Sequence, residues 1–174
     1  SCNSQVEGDW SQAAFWTVGG CLGNGITCTG VDFNVLQGDM AILKLMKDMG
    51  AKIEQTEGSL YVEKSRTQGI VIDASDCPDI IPILTALAAV SKGGTEIINA
   101  GRLRIKECDR LAAISTELNK LGADITELPD GLIINGRPEG LKGGAEVDAW
   151  NDHRIAMSLA IVAQCCKEPI VLHG

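Results

Sequence analysis

A repeat limits what these 174 residues can fold into more than any other feature of the sequence. The stretch AILKLMKDMGAKI (41–53) aligns without gaps with AISTELNKLGADI (113–125), placing the pairs Gly50-Ala51 and Gly122-Ala123 at a constant offset of 72. Each copy has the spacing of an amphipathic helix, apolar at Ile42, Met46 and Met49 in one, and at Leu111, Ile114, Leu118 and Leu121 in the other. Gly50 and Gly122 are the residue type that ends a helix in a left-handed cap. A strand, a turn (Glu57-Gly58; Pro129-Asp130-Gly131) and a second strand are predicted after each.

A second kind of helix precedes each amphipathic one, within Ser11–Cys21, Asp79–Ser91 and Asp152–Cys166. Segments such as IIPILTALAAV and IAMSLAIVA are apolar nearly all round, which predicts burial on every side. Each leads into a strand: GITCTG, GTEIIN and PIVLHG. The predicted fold is α/β (α+β), with βαβαββ units recurring about two and a half times. The buried helices lie inside and the sheets outside. The length suits one domain over residues 1–174. Aromatic residues make up only 3%, so the core is expected from Ile, Leu, Val, Ala and Met.

The formal charge of −8 argues against a general nucleic-acid or anionic-membrane surface, so any cluster of Lys and Arg is informative. Seven cysteines form no CxxC pair and only two histidines occur. Odd count and scattered spacing suggest free thiols in a reducing cytoplasm, with no disulfide frame and no metal site. The apolar run around Ile155–Cys166 is too short to span a bilayer. The abrupt start at Ser1–Gln5, and the end at Gly174 on the strand-like PIVLHG, suggest a chain cut at both ends.

Three polar clusters are candidates for chemistry. In Arg102-Leu-Arg104-Ile-Lys106-Glu107-Cys-Asp109-Arg110, strand alternation would put Arg102, Arg104 and Lys106 on one face and Leu103 and Ile105 in the core. So many bases in an acidic chain suit a multiply charged anion; the alternative is a solvated strand end whose charges pair with one another. In Asn151-Asp152-His153-Arg154, directly before a buried helix, the free N–H groups of the helix start and the Arg154 fork suit phosphate or carboxylate. The alternative there is an Asn151 or Asp152 cap balanced by Arg154, with His153 a structural hydrogen-bonder. In Asp73-Ala-Ser-Asp76-Cys-Pro-Asp79, Asp79 is either a helix cap or a general base beside the anion site.

The strings VEGDWSQAA (6–14), LQGD (36–39), DASDCPDIIPILTALAA (73–89), RLRIKECDRLAA (102–113), LGAD (121–124) and NDHRIAM (151–157) together resemble the 5-enolpyruvylshikimate-3-phosphate synthases. The resemblance runs in order over nearly the whole chain, and IKE-x-DR followed by NDHR-x-AM is its most specific part. It implies most of the C-terminal domain of a two-domain enolpyruvyl transferase fold, the N-terminal domain and C-terminal tail lying outside this sequence. The implied reaction moves the enolpyruvyl group of phosphoenolpyruvate to the 5-hydroxyl of shikimate 3-phosphate and releases phosphate. No cofactor is implied. By the same resemblance Asp79 is the general base and Glu107 the acid at the methylene carbon. Lys106 lies at shikimate 3-phosphate and near the transferring hydroxyl, and Arg110 and Arg154 grip phosphoenolpyruvate with Asp152 and His153 beside them. Arg102 stands where some members carry an Asn that touches shikimate 3-phosphate. The alternatives are a related enolpyruvyl transferase with another acceptor, or a non-catalytic anion-binding domain of the same fold.

Overall fold

Gly50 and Gly122 hold equivalent places in the folded chain, with φ of +97° and +96° at the ends of two amphipathic helices. A side chain is strained at that φ, so the repeated glycine is a helix stop set by backbone geometry. The structure is a computed structural model and describes residues 7–174. The expected abrupt start at Ser1–Gln5, with Cys2 and Val6, lies outside the described residues.

The first unit runs α1 (Trp10–Leu22), β1 (Ile26–Thr29), α2 (Ala41–Asp48), β2 (Ile53–Thr56) and β3 (Ser59–Val62). The second is a whole βαβαββ unit: β4 (Val71–Asp73), α3 (Ile81–Ala89), β5 (Gly94–Ile98), α4 (Arg110–Lys120), β6 (Ile125–Leu128) and β7 (Gly131–Asn135). The chain continues through β8 (Leu141–Gly143), β9 (Glu146–Asp148), α5 (His153–Val162), β10 (Cys166–Glu168) and β11 (Val171–His173). The second unit's sheet has the order β4-β5-β7-β6, parallel between β4 and β5 and antiparallel elsewhere. The first unit repeats its last three strands as β1-β3-β2, and the third begins with β9 parallel to β11. A short parallel pair, β8 and β10, stands beside them.

All nine residues of α3 are buried. The helix packs against α1, α4, α5 and β7, which leaves no side for water. The expectation of all-round burial fails for the other two helices of this class. Trp16 of α1 is 61% exposed, and α5 buries one stripe, Ile155, Ser158, Leu159 and Val162. Those are positions i, i+3, i+4 and i+7, so α5 has a single inward face despite its apolar composition. The core is mainly aliphatic, with Trp10 and Phe15 also inside. Ile42, Met46, Met49, Leu111, Ile114, Leu118 and Leu121 are all fully buried. Among the described residues, no helix is long and apolar enough to cross a membrane.

Candidate functional site

The starts of three helices meet at one end of the core. Asp79 sits in the single 3-10 turn Pro78–Ile80 that leads into α3; Arg110 is the first residue of α4; Asp152 caps α5, and Arg154 is its second residue. Asp152 accepts the Arg154 N–H at 2.8 Å, and Asp109 accepts the Ala112 N–H at 3.1 Å to cap α4. Their unpaired N–H groups and dipoles make this end of the bundle favourable for negative charge.

Six charged side chains interlock there. Arg110, only 1% exposed, donates through Nε to Asp152 Oδ2 at 2.7 Å, through Nη1 to Asp79 Oδ1 at 2.8 Å, and through Nη2 to Glu107 Oε2. Lys106 Nζ lies 3.1 Å from Asp79 Oδ1, and Arg154 Nη2 lies 3.3 Å from Asp79 Oδ2. Three cations thus face three carboxylates, and Asp79 touches every cation. Burial pushes the Asp79 carboxyl up, but the Lys106 hydrogen bond, Arg154 and Arg110 outweigh it and hold the group below the usual carboxylate range. Asp152 behaves alike: burial raises it, while Arg110 and the Arg154 N–H bring it down further. Both are ionised at neutral pH.

The grips are unequal, and that decides what the cluster can do. Arg110 is committed to protein carboxylates on all three of its nitrogens. Lys106 has one long contact and Arg154 only contacts of 3.3–3.4 Å, so these two can turn to an outside anion. Glu107, whose side chain is 51% exposed, is the partner most easily displaced from Arg110. A cleft of about 460 Å³ opens beside the cluster, lined by Asp79, Arg102 and Lys106 together with Ser11, Gln37 and Asp39. A larger cavity of about 880 Å³ lies at the opposite end of the helices, around Leu22 and Val90, and holds none of the six. Charge convergence marks the site, and cavity size does not.

One sequence expectation at the site needs correction. Residues 102–106 do not form a strand; Gly101–Ile105 is a 3-10 turn. Asn99, with φ +56°, turns the chain out of β5, and the Ala100 and Gly101 N–H groups bond to Asp130. The alternation is therefore lost. Leu103 is buried but Ile105 is 84% exposed, and Arg104 points away from Lys106 to clamp Asp109, Glu127 and the carbonyls of Leu128 and Pro129. Of the two readings of Asp79, the helix cap is set aside, because α3 starts without a side-chain cap. Arg102 lines the cleft and makes no ion pair with another described residue. His153, exposed at the start of α5, makes no hydrogen bond or ion pair with another described residue.

The family model described as EPSP synthase (3-phosphoshikimate 1-carboxyvinyltransferase) matches residues 1–173. The chain belongs to the EPSP synthase family. It is 58% identical over 173 residues to the 3-phosphoshikimate 1-carboxyvinyltransferase of Clostridium kluyveri, covering 99% of this chain and 40% of that protein. The enzyme of the same name from Clostridium acetobutylicum is 56% identical over 170 residues, covering 98% and 39%. The chain thus spans about 40% of the length of the curated relatives it matches. Among solved structures, an EPSP synthase from Acinetobacter baumannii superposes with a TM-score of 0.86 at 29% identity, over 98% of this chain and 42% of that one. The enolpyruvyl transferase NikO of Streptomyces tendae shares the fold at 19% identity and a TM-score of 0.77, covering 97% and 39%.

Two features near the site escaped the sequence. Asp39 lines the cleft, accepting the Ser11 hydroxyl at 2.6 Å; burial and then the Asp79 charge push its carboxyl up against that bond and Arg154. LQGD was visible as a string, but nothing local ties residue 39 to residue 79. Glu117, buried among apolar positions of α4, holds Lys120, Trp150 and the Asp148 N–H. An acid on the inward face of an amphipathic helix is the signal that could have found it.

Proposed function

We propose that this chain is most of the C-terminal domain of a transferase that moves the enolpyruvyl group of phosphoenolpyruvate to the 5-hydroxyl of shikimate 3-phosphate, releasing phosphate. The observation that carries the reading is the meeting of Lys106, Arg110 and Arg154 on Asp79 at the mouth of a polar cleft. Two anionic substrates need several cations, and an addition followed by elimination needs both a base and an acid. Lys106 and Arg154, the least committed cations, take substrate anions first. Lys106 serves shikimate 3-phosphate near its 5-hydroxyl, with Arg102 lining the same cleft; Arg154 serves phosphoenolpyruvate. The phosphoenolpyruvate anion also displaces Glu107 from Arg110, completing its own site and leaving Glu107 free at the methylene carbon. Asp152 keeps Arg110 fixed throughout, because its contact is buried and short.

Asp79 then takes the proton from the attacking hydroxyl as oxygen bonds to the substituted carbon of phosphoenolpyruvate, and Glu107 delivers a proton to the methylene carbon. Loss of a proton from that carbon and departure of phosphate restore the double bond. His153, exposed beside Asp152, borders the phosphoenolpyruvate end. The rest of the site comes from an N-terminal domain and a C-terminal tail of the same polypeptide, in keeping with relatives about two and a half times as long. Leu36 and Ile105, aliphatic and exposed next to the cleft walls, supply apolar surface for that domain to cover. The free thiols of Cys21, Cys28, Cys77, Cys108, Cys165 and Cys166 agree with a cytoplasmic protein. The test is phosphate release from the two substrates by the full-length enzyme with Arg154→Ala. A rise in the KM for phosphoenolpyruvate is expected, and an unchanged KM overturns the assignment.

A further inference from the structure

Two charges are buried on one face of α4, Arg110 and Glu117, each 1% exposed. They are seven residues apart, close to two helical turns, so both side chains leave the helix on the same side. That side meets the segment joining β9 to α5. Arg110 holds its far end, the carboxylate of Asp152. Glu117 holds its near end: Oε2 accepts the Asp148 N–H at 3.0 Å, and Oε1 accepts the Trp150 indole N–H at 2.8 Å. Lys120 Nζ, at 2.8 and 3.0 Å, supplies the counter-charge. Burial raises the Glu117 carboxyl, yet Lys120, Trp150 and the Asp148 N–H together bring it below its ordinary value, so it stays ionised.

Between the two grips the backbone is strained. Trp150 and Asn151 have φ of +53° and +55°, two consecutive left-handed residues, neither a glycine. Such a conformation persists only where the surroundings over-determine it. Asp152 and Arg154 follow at once, so the direction of this turn sets where both side chains point. Glu117 itself does not line the cleft.

We propose that Glu117 is a positioning residue. With Arg110 it clamps the 148–152 turn in its left-handed form, and so aims Asp152 at Arg110 and Arg154 at Asp79. The inference rests on the reading that Arg154 grips phosphoenolpyruvate. In the full-length enzyme, Glu117→Gln keeps the size of the side chain but presents an NH2 group to one of two N–H donors. Its KM for phosphoenolpyruvate should rise about tenfold, because a small misplacement of a binding group is felt strongly. The KM for shikimate 3-phosphate should stay within about twofold. The Trp150 indole N–H resonance, assigned by its loss in Trp150→Phe, should move. Trp150→Phe removes one grip and should shift the same KM in the same direction by less. If Glu117→Gln lowers only thermal stability or kcat with both KM values unchanged, Glu117 is merely structural and the proposal is overturned. If Glu117→Gln does not fold, Trp150→Phe decides, and an unchanged phosphoenolpyruvate KM overturns it. Arg154→Lys separates the two readings: if it leaves that KM unchanged the binding assignment fails, and an unmoved indole resonance in Glu117→Gln then overturns the clamp on its own.

Discussion

Asp79 shows how little a residue's neighbours in sequence say about its work. Its string, CPDIIP, fits a helix start, and capping is the ordinary use of an acid there. In the folded chain it caps nothing and holds Lys106, Arg110 and Arg154, which are 27, 31 and 75 residues away. Asp79→Asn keeps the shape and removes the proposed base. In the full-length enzyme turnover should fall on the order of a hundredfold or more, with the KM for phosphoenolpyruvate little changed; near-normal turnover would exclude Asp79 as the base. Asp152 has the opposite history. Its sequence position suggested a cap, and it is one, but it also neutralises a buried guanidinium. Because its folded pKa is depressed, its contribution to stability is present above the unfolded value and lost as pH falls through the folded one. The resistance of this chain to urea should therefore fall as pH drops below about 4, the ordinary range for Asp. That dependence should be flatter in Asp152→Asn; an equally steep acid loss in the variant counts against the linkage.

At the scale of elements, the repeat made the helices legible because amphipathic spacing and terminal glycines are local signals. The two glycines are not equal in their surroundings. A Cβ at Gly50 meets nothing closer than Arg66 O at 3.7 Å, whereas one at Gly122 lies 3.3 Å from the Lys142 Cβ. Gly50→Ala should lose about 1–2 kcal/mol from the left-handed φ alone. Gly122→Ala should lose more, measured by the shift in urea midpoint. A neutral result at either position removes backbone geometry as the reason for the glycine. The 102–106 segment was misread for the converse reason. Its alternation of charged and apolar residues fits a strand, but the winning interactions come from Asp130, far along the chain, and from the left-handed Asn99. Local pattern loses wherever distant hydrogen bonds set the backbone.

For the whole molecule, the proposed two-domain reading makes a direct prediction about this chain by itself. Lys106 lines an open cleft, where salt screens each contact, with a Debye length of about 8 Å at physiological ionic strength. An opposing wall that excludes water and aligns the reactants supplies roughly 7–11 kcal/mol in favourable cases. The 174 residues alone should therefore release no measurable phosphate from the two substrates, while still binding anions weakly; robust turnover would overturn the two-domain reading. By itself the sequence determined the βαβαββ repeat, the helix stops at Gly50 and Gly122, the apolar faces of α2 and α4, and the kinds of side chain that can hold an anion. Each follows from spacing along one element, which propensity and periodicity encode directly. Tertiary structure alone decided that α3 is enclosed while α5 is not, and that Arg104 leaves the basic cluster for Glu127. It also brought Asp39 and Asp79 to one cleft and paired Glu117 with a strained turn. Those outcomes depend on which elements meet, and burial and long-range hydrogen bonds, absent from any local pattern, settle that meeting.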